Sequence, residues 1–230
     1  MTVPPAGRDA EIRDPKDIVR AGYDALSYRY QDDEQERAEY APWLAALHAR
    51  LSPASTVLDI GCGCGLPVAR TLVGYGHTVT GVDISDVQIE RARILVPEGT
   101  FVRADAADLA FAPASFDAVV SFYALIHMPY DEQEQLLHQV AVWLRPGGWF
   151  VATTGHTAWT GTDDVWLGGT AAMWWSHPDA DVYRQWLTDA GLVITGENFI
   201  AEGDGGHHLF WARRESSSPE RRRGSPDNSS

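Results

Sequence analysis

Apolar residues in the first part of the chain recur at helical spacing. Ile18, Val19, Tyr23, Leu26 and Tyr30 make one such face, and Tyr40, Trp43, Leu44, Leu47 and Leu51 make another beyond the acidic joint Asp32-Asp33-Glu34. The pattern predicts two helices ahead of any sheet. The period then changes at Thr56-Val57-Leu58-Asp59-Ile60, a short apolar run of the kind that makes a strand buried on both faces. It breaks into Gly61-Cys62-Gly63-Cys64-Gly65-Leu66-Pro67 before helical spacing resumes at Val68-Ala69-Arg70-Thr71-Leu72. Further strands are expected at 78–83, 101–102, 116–121 and 149–153, with helices at 85–95 and 131–144, the second stopped by Pro146-Gly147-Gly148. Ser85 is placed to cap the first of these. The segment 155–178, rich in Gly, Thr and Trp with weak periodicity, reads as the one insertion. A helix at 179–190, closed by Gly191, precedes two last strands, 192–200 and 207–212, joined through Gly203-Asp204-Gly205-Gly206.

Strands alternating with helices imply a largely parallel α/β sheet with helices on both faces, to which the closing hairpin adds an antiparallel edge. One folded domain is expected over 15–212, between an unstructured start at 1–14 and a disordered tail from 213 that includes Arg221-Arg222-Arg223. At 230 residues and 44% hydrophobic, the chain can bury a full core. Its net charge of −14 repels phosphate backbones and anionic lipid, so neither nucleic acid nor a membrane surface is an expected partner. A small molecule or a cation fits better. The 2 cysteines, Cys62 and Cys64, both lie inside the glycine turn, which rules out a disulfide framework, and with no second ligand cluster no metal site is expected. The start lacks an apolar leader, so the expected location is cytoplasmic. Monomer and homodimer stay open.

Gly61, Gly63 and Gly65 bring bare backbone to a strand end beside a helix N-terminus, where a small ligand can lie against the main chain. Dinucleotide sites use a similar turn and an acid after the second strand, which Asp83 supplies. Asp59, just ahead of the glycines, would repel a pyrophosphate and welcome an ammonium or sulfonium. Asp105, after the third strand, can accept from an exocyclic amine. Carboxylates at several strand ends suit a cationic nucleoside.

In this order the motifs resemble those of the class I S-adenosylmethionine-dependent methyltransferases, over roughly 15–212. Val57 to Gly65 is similar to the first motif of that family, Val82-Asp83-Ile84-Ser85 to the second and Arg103-Ala104-Asp105-Ala106 to the third. Phe116 to Val120 is similar to the fourth, and Leu144-Arg145-Pro146-Gly147-Gly148 to the turn after the next helix. The resemblance implies a Rossmann-like seven-stranded sheet of order 3-2-1-4-5-7-6, with strand 7 antiparallel, and S-adenosyl-L-methionine as cofactor. It places Gly61, Cys62, Gly63 and Gly65 against the methionine moiety, Asp59 near the ammonium, Asp83 on the ribose hydroxyls, Asp105 on the adenine amine and the Ala106 amide on a ring nitrogen. Ile84 and Tyr123 join the candidate cofactor-binding set. So do Tyr23 and Tyr30 on the first helix, for which ordinary helix packing is the competing reading.

The methyl acceptor is expected over the end of the fourth strand, at 121–129. His127 is the candidate general base there, with a structural imidazole as the alternative. Trp159, Trp166, Met173, Trp174, Trp175 and His177 of the insertion, with His207, make up the candidate substrate set. Tryptophans so concentrated point to an apolar or aromatic acceptor, or else to a satellite core under a long loop. His207 and His208 are strand neighbours and must face opposite ways. The expected activity is methyl transfer to an oxygen, nitrogen or carbon of a small secondary metabolite. The alternatives are a cyclase or scaffold that only binds the cofactor, and an NAD-type nucleotide binder.

Overall fold

The computed structural model describes residues 14–34 and 37–216. The expectations for 1–13 and for the tail from 217 onward lie outside the described residues. Helix α1 (Pro15–Tyr30) is capped by Asp14, whose side chain accepts from the Lys16 amide at 2.9 Å. A short 3-10 turn leads into α2 (Ala41–His48). Strand β1 (Thr56–Ile60) then opens the alternation: α3 (Val68–Gly74), β2 (Thr78–Asp83), α4 (Asp86–Leu95), β3 (Thr100–Arg103), β4 (Phe116–Ser121), α5 (Tyr130–Trp143) and β5 (Leu144–Gly155). As expected, the Ser85 hydroxyl caps α4, accepting from the Gln88 amide at 3.1 Å.

The insertion, for which the weak periodicity gave no regular element, is ordered. It folds as an antiparallel pair, β6 (Trp159–Asp163) and β7 (Met173–His177), forming a separate two-stranded sheet. After α6 (Ala180–Asp189) come β8 (Leu192–Glu202) and β9 (Gly205–Arg214). Strand β9 runs through Arg213 and Arg214, where the tail was expected to start, because their partners Val193 and Leu192 on β8 continue the ladder.

The main sheet has the order β3-β2-β1-β4-β5-β9-β8. Strands β1 to β5 are parallel, and β9 is antiparallel to both its neighbours. This is the Rossmann-like order that the resemblance implies, with β8 and β9 standing as the sixth and seventh strands. Strand β1 lies inside the sheet between β2 and β4, and all but its first residue is buried. Leu58 and Ile60 point into a core with Leu137, Phe150, Tyr183 and Phe210, under α5 and α6. Val57 points the other way, into a core with Leu72, Val79, Ile89 and Leu209. Each such side chain stabilises the sheet by about 1.5–3 kcal/mol relative to exposure. Among the described residues no helix is long and apolar enough to cross a membrane.

Asp117, conspicuous in the fourth motif, sits at the opposite end of the sheet from the glycine turn. Its carboxylate accepts from the Thr56 amide at 2.7 Å and pairs with Arg145 at 2.5 Å. It ties β1 to β4, and its role is to hold register.

Two glycines of the turn are constrained differently. Gly61 (φ +73°) faces the segment after β4 so closely that a Cβ would lie 2.1 Å from the Ala124 Cβ, whereas a Cβ on Gly63 (φ +53°) would meet nothing within 4 Å. Gly63→Ala should therefore cost only the left-handed backbone penalty, about 1–2 kcal/mol. Gly61→Ala should cost a further 1–3 kcal/mol or so from overpacking. Urea unfolding midpoints check the order.

Candidate active site

The parallel strands bring four loops to one edge of the sheet, and α1 lies across them. The cavity between is lined by Tyr23 and Tyr30 of α1, by Gly61 and Gly63, by Asp83 and Ile84, by Asp105 and Ala106, and by Tyr123 and His127. Asp83 organises it. One carboxylate oxygen accepts from the Gly63 amide at 2.9 Å and the other from the Ser85 amide at 2.9 Å, so the end of β2 holds the glycine turn in place. Burial nevertheless pushes Asp83 up to about 6, against the stabilising effect of those two amides.

A second lobe continues past the glycines, between Asp59, Cys62, Gln88, Arg37 and Tyr40. Asp59 is 1% exposed, and its Oδ2 is a buried acceptor without a hydrogen-bond partner among the described residues; Gln88, also 1% exposed, leaves its Nε2 donor in the same condition. Burial, with the Asp83 carboxylate nearby, pushes Asp59 up to about 8. Arg37 stands alongside, donating to the Tyr30 carbonyl at 2.5 Å with its guanidinium 4.6 Å from the Tyr30 ring centre. An open acceptor, an open donor and a cation in one lobe complement a group carrying both an ammonium and a carboxylate.

At the other end, Asp105 accepts from the Ala107 amide at 2.9 Å and pairs with Lys16 at 2.7 Å, while Lys16 also reaches Glu132 at 2.5 Å. This bridge pins the first turn of α1 over the end of β3.

His127 joins the cavity to a larger one of about 390 Å³, walled by Tyr23, Tyr30, Tyr123, Ile126, Trp166, Trp175 and His207 among others. Its Nδ1 lies 2.8 Å from the Trp174 carbonyl and its Nε2 lies 3.1 Å from the Tyr23 hydroxyl. A carbonyl only accepts, so Nδ1 carries the proton, and Nε2 presents its lone pair to the Tyr23 hydroxyl, which donates. Burial pushes His127 down to about 4, against the Trp174 carbonyl, whose bond favours the protonated ring. The neutral imidazole is therefore the resting form at neutral pH. Tyr123, at φ +60°, holds a left-handed conformation with its amide donating to the Thr153 hydroxyl at 2.5 Å. That turn sends its ring to the boundary of the two cavities.

Of the candidate substrate residues, Trp166, Trp175 and His207 line the larger cavity and the other four do not. Met173 is fully buried in a satellite core with Val19, Leu26 and Trp166. Trp174 packs against that core and gives its carbonyl to His127, and Trp159 is 48% exposed, beside Trp175 and His177. Among the turn residues Gly65 packs towards Val96 and Phe101 and does not line either lobe. His207 and His208 do face opposite ways: His207 reaches the cavity, and His208 pairs with Glu197 at 2.5 Å. Sequence reasoning missed Lys16, Arg37 and Gln88. For Gln88 a signal existed, since it is an amide on the same buried face of α4 as Ile89 and Ala92.

Residues 57–148 match the family model described as a methyltransferase domain. The O-methyltransferase cnsE of Penicillium expansum is 37% identical over 147 residues, covering 60% of this chain and 52% of that protein. The 27-O-demethylrifamycin SV methyltransferase of Amycolatopsis mediterranei is 37% identical over 134 residues, covering 54% and 48%. The chain thus spans about half the length of these curated relatives. In fold it is similar to the 1,6-didemethyltoxoflavin-N1-methyltransferase of Burkholderia thailandensis, solved with 1,6-didemethyltoxoflavin and S-adenosylhomocysteine. The TM-score is 0.69 at 20% identity, covering 92% of this chain and 95% of that one.

The raised carboxyls have a consequence for stability. Asp59 and Asp83 bind protons more tightly folded than unfolded, so their effect is stabilising below the unfolded value near 3.8 and is lost as pH rises through about 6 and about 8. Urea unfolding should show stability falling from pH 5 to pH 8 or so, with a flatter profile in Asp59→Asn.

Proposed function

We propose that the chain, whose residues 57–148 match a methyltransferase-domain model, is a class I S-adenosylmethionine-dependent methyltransferase that methylates a hydroxyl oxygen of a small, largely aromatic or apolar molecule. The observation that carries the cofactor half of this reading is the second lobe. Its Asp59 Oδ2 and Gln88 Nε2, unpaired among the described residues, and Arg37 beside them match the ammonium and carboxylate of a methionine moiety. Gly63, open where a Cβ would stand, leaves room for that moiety along the backbone. Asp83 keeps lone pairs for two ribose hydroxyls, and Asp105 with the Ala106 amide would hold the adenine. When bound, the cofactor supplies a methyl on a sulfonium, already activated toward nucleophiles.

The protein's share is orientation, water exclusion and proton handling. In-line alignment of nucleophile and methyl supplies roughly 7–11 kcal/mol in well-oriented systems. Trp166, Trp175 and Ile126 give the acceptor an apolar enclosure, and Tyr23, shared by both cavities, borders the reacting centre. The Nε2 lone pair of His127 accepts the Tyr23 hydroxyl bond, so as an acceptor hydroxyl gives its proton to the Tyr23 oxygen, the Tyr23 proton passes to His127 Nε2 and leaves an imidazolium. A resting value near 4 makes His127 a weak base, suited to accepting a proton as the hydroxyl is methylated and its acidity rises. Oxygen is favoured over nitrogen and carbon by this relay and by the O-methyltransferases among the relatives.

Incubating the chain with methyl-labelled cofactor and a panel of phenols, alcohols, amines and carbon acids tests the proposal; label recovered as a methyl ether supports it, and label on nitrogen or carbon alone contradicts the oxygen assignment. For the cofactor pose, Asp83→Ala should weaken S-adenosylhomocysteine binding by more than about tenfold, through lost charge-assisted bonds. An unchanged dissociation constant in titration calorimetry would contradict the pose.

A further inference from the structure

The free edge of β7 is held by two side chains where a sheet would place another strand. Trp174 and Ser176 are alternate residues of β7, so their carbonyls leave the same edge. The first accepts from His127 Nδ1 at 2.8 Å, and the second accepts from Gln133 Nε2 at 2.6 Å. Gln133 stands in the first turn of α5, lines neither cavity and is 0% exposed. Its Nε2 also donates to the Met128 carbonyl at 2.8 Å, and its Oε1 accepts from the Tyr183 hydroxyl of α6 at 2.5 Å, Tyr183 being 0% exposed as well. Both amide hydrogens and the amide oxygen are thereby used, and the Tyr183 bond leaves one orientation of the amide.

We propose that Gln133, anchored by Tyr183, is a positioning residue for the acceptor side of the site: it fixes β7 against the segment 127–133 and so fixes the tautomer of His127. The inference rests on the reading of His127 as the acceptor-side base. Without Gln133 the Ser176 carbonyl is a buried acceptor with no partner, and that edge of β7 keeps one bond of two. As the Trp174 carbonyl drifts, the Nδ1 proton of His127 loses its acceptor. The Nε2–H tautomer then competes, and in that form Nε2 has no lone pair for the Tyr23 hydroxyl. The same release moves Trp175, a wall of the larger cavity. None of these contacts touches Asp59, Asp83 or Gln88, so the nucleoside side is left intact.

The test uses the full chain labelled with nitrogen-15 in histidine and saturated with S-adenosylhomocysteine, with the His127 signals identified by their loss in His127→Gln. The wild type should show the nitrogen pattern of an Nδ1–H imidazole. In Gln133→Met the pattern should shift toward the Nε2–H form, and amide exchange at 173–177 should quicken by about tenfold. The dissociation constant for S-adenosylhomocysteine should stay within about twofold, as for distant sites. Tyr183→Phe, which keeps both donated bonds and frees only the amide oxygen, should shift the pattern in the same direction by less, and it serves if Gln133→Met does not fold. An Nε2–H pattern in the wild type, or an unchanged pattern in the variants that fold, would overturn the proposal. Failure of the wild type to bind S-adenosylhomocysteine would instead overturn the cofactor reading, and the tautomer could still be read without the ligand.

Discussion

Two carboxylates at the dry ends of neighbouring strands set the terms for the rest of this molecule. A parallel sheet covered on both faces excludes water from its central strand, so an acid placed at the penultimate position of β1 is costly unless a ligand or a proton answers it. Asp59 is answered at Oδ2 by no group among the described residues, and burial raises it to about 8. Asp83, one strand over, is answered in part by the Gly63 and Ser85 amides. Those same bonds fix the glycine turn and the start of α4, so the charge that weakens the fold also shapes the cradle. Destabilisation and binding capacity share one origin.

The acceptor side is built on a different economy. It holds its base neutral by burial and orders it through the Trp174 carbonyl. A neutral ring with a directed lone pair relays a proton without placing a fixed charge beside a sulfonium. The cost is dependence on the strand that supplies the carbonyl. The hairpin β6–β7 is therefore both wall and support, with Gln133 and Tyr183 connecting it to the helices beneath.

Legibility in the sequence followed the range of the interactions. The strand, turn and helix at 56–74 could be read because an apolar run, alternating glycines and a renewed helical period are local signals. The sheet order came from the family resemblance, and only its antiparallel closing hairpin was read from the residues themselves. The insertion was opaque for a definite reason. Met173, Trp174, Trp175, Ser176 and His177 look like one aromatic surface in one dimension, yet a strand sends successive side chains to opposite sides. Met173 and Trp175 share one face, Met173 in the satellite core and Trp175 at the cavity, while Trp174 and Ser176 alternate with them and give their carbonyls to His127 and Gln133. Lys16, Arg37 and Gln88 arrive by the packing of α1, the joint after it and α4 over the strand ends, which no local spacing announces. Asp117 shows the converse, a residue prominent in a motif whose bonds to Thr56 and Arg145 are purely architectural.

The central claim is that Asp59 waits largely protonated for a cationic amine. Calorimetric titration with S-adenosylhomocysteine at pH 7, in buffers of different ionisation enthalpy, reads it directly. Because an ammonium beside Asp59 lowers a value that starts near 8, binding should release a proton and the observed heat should vary with the buffer. Heats independent of buffer, or binding of NAD in place of S-adenosylhomocysteine, would contradict the account.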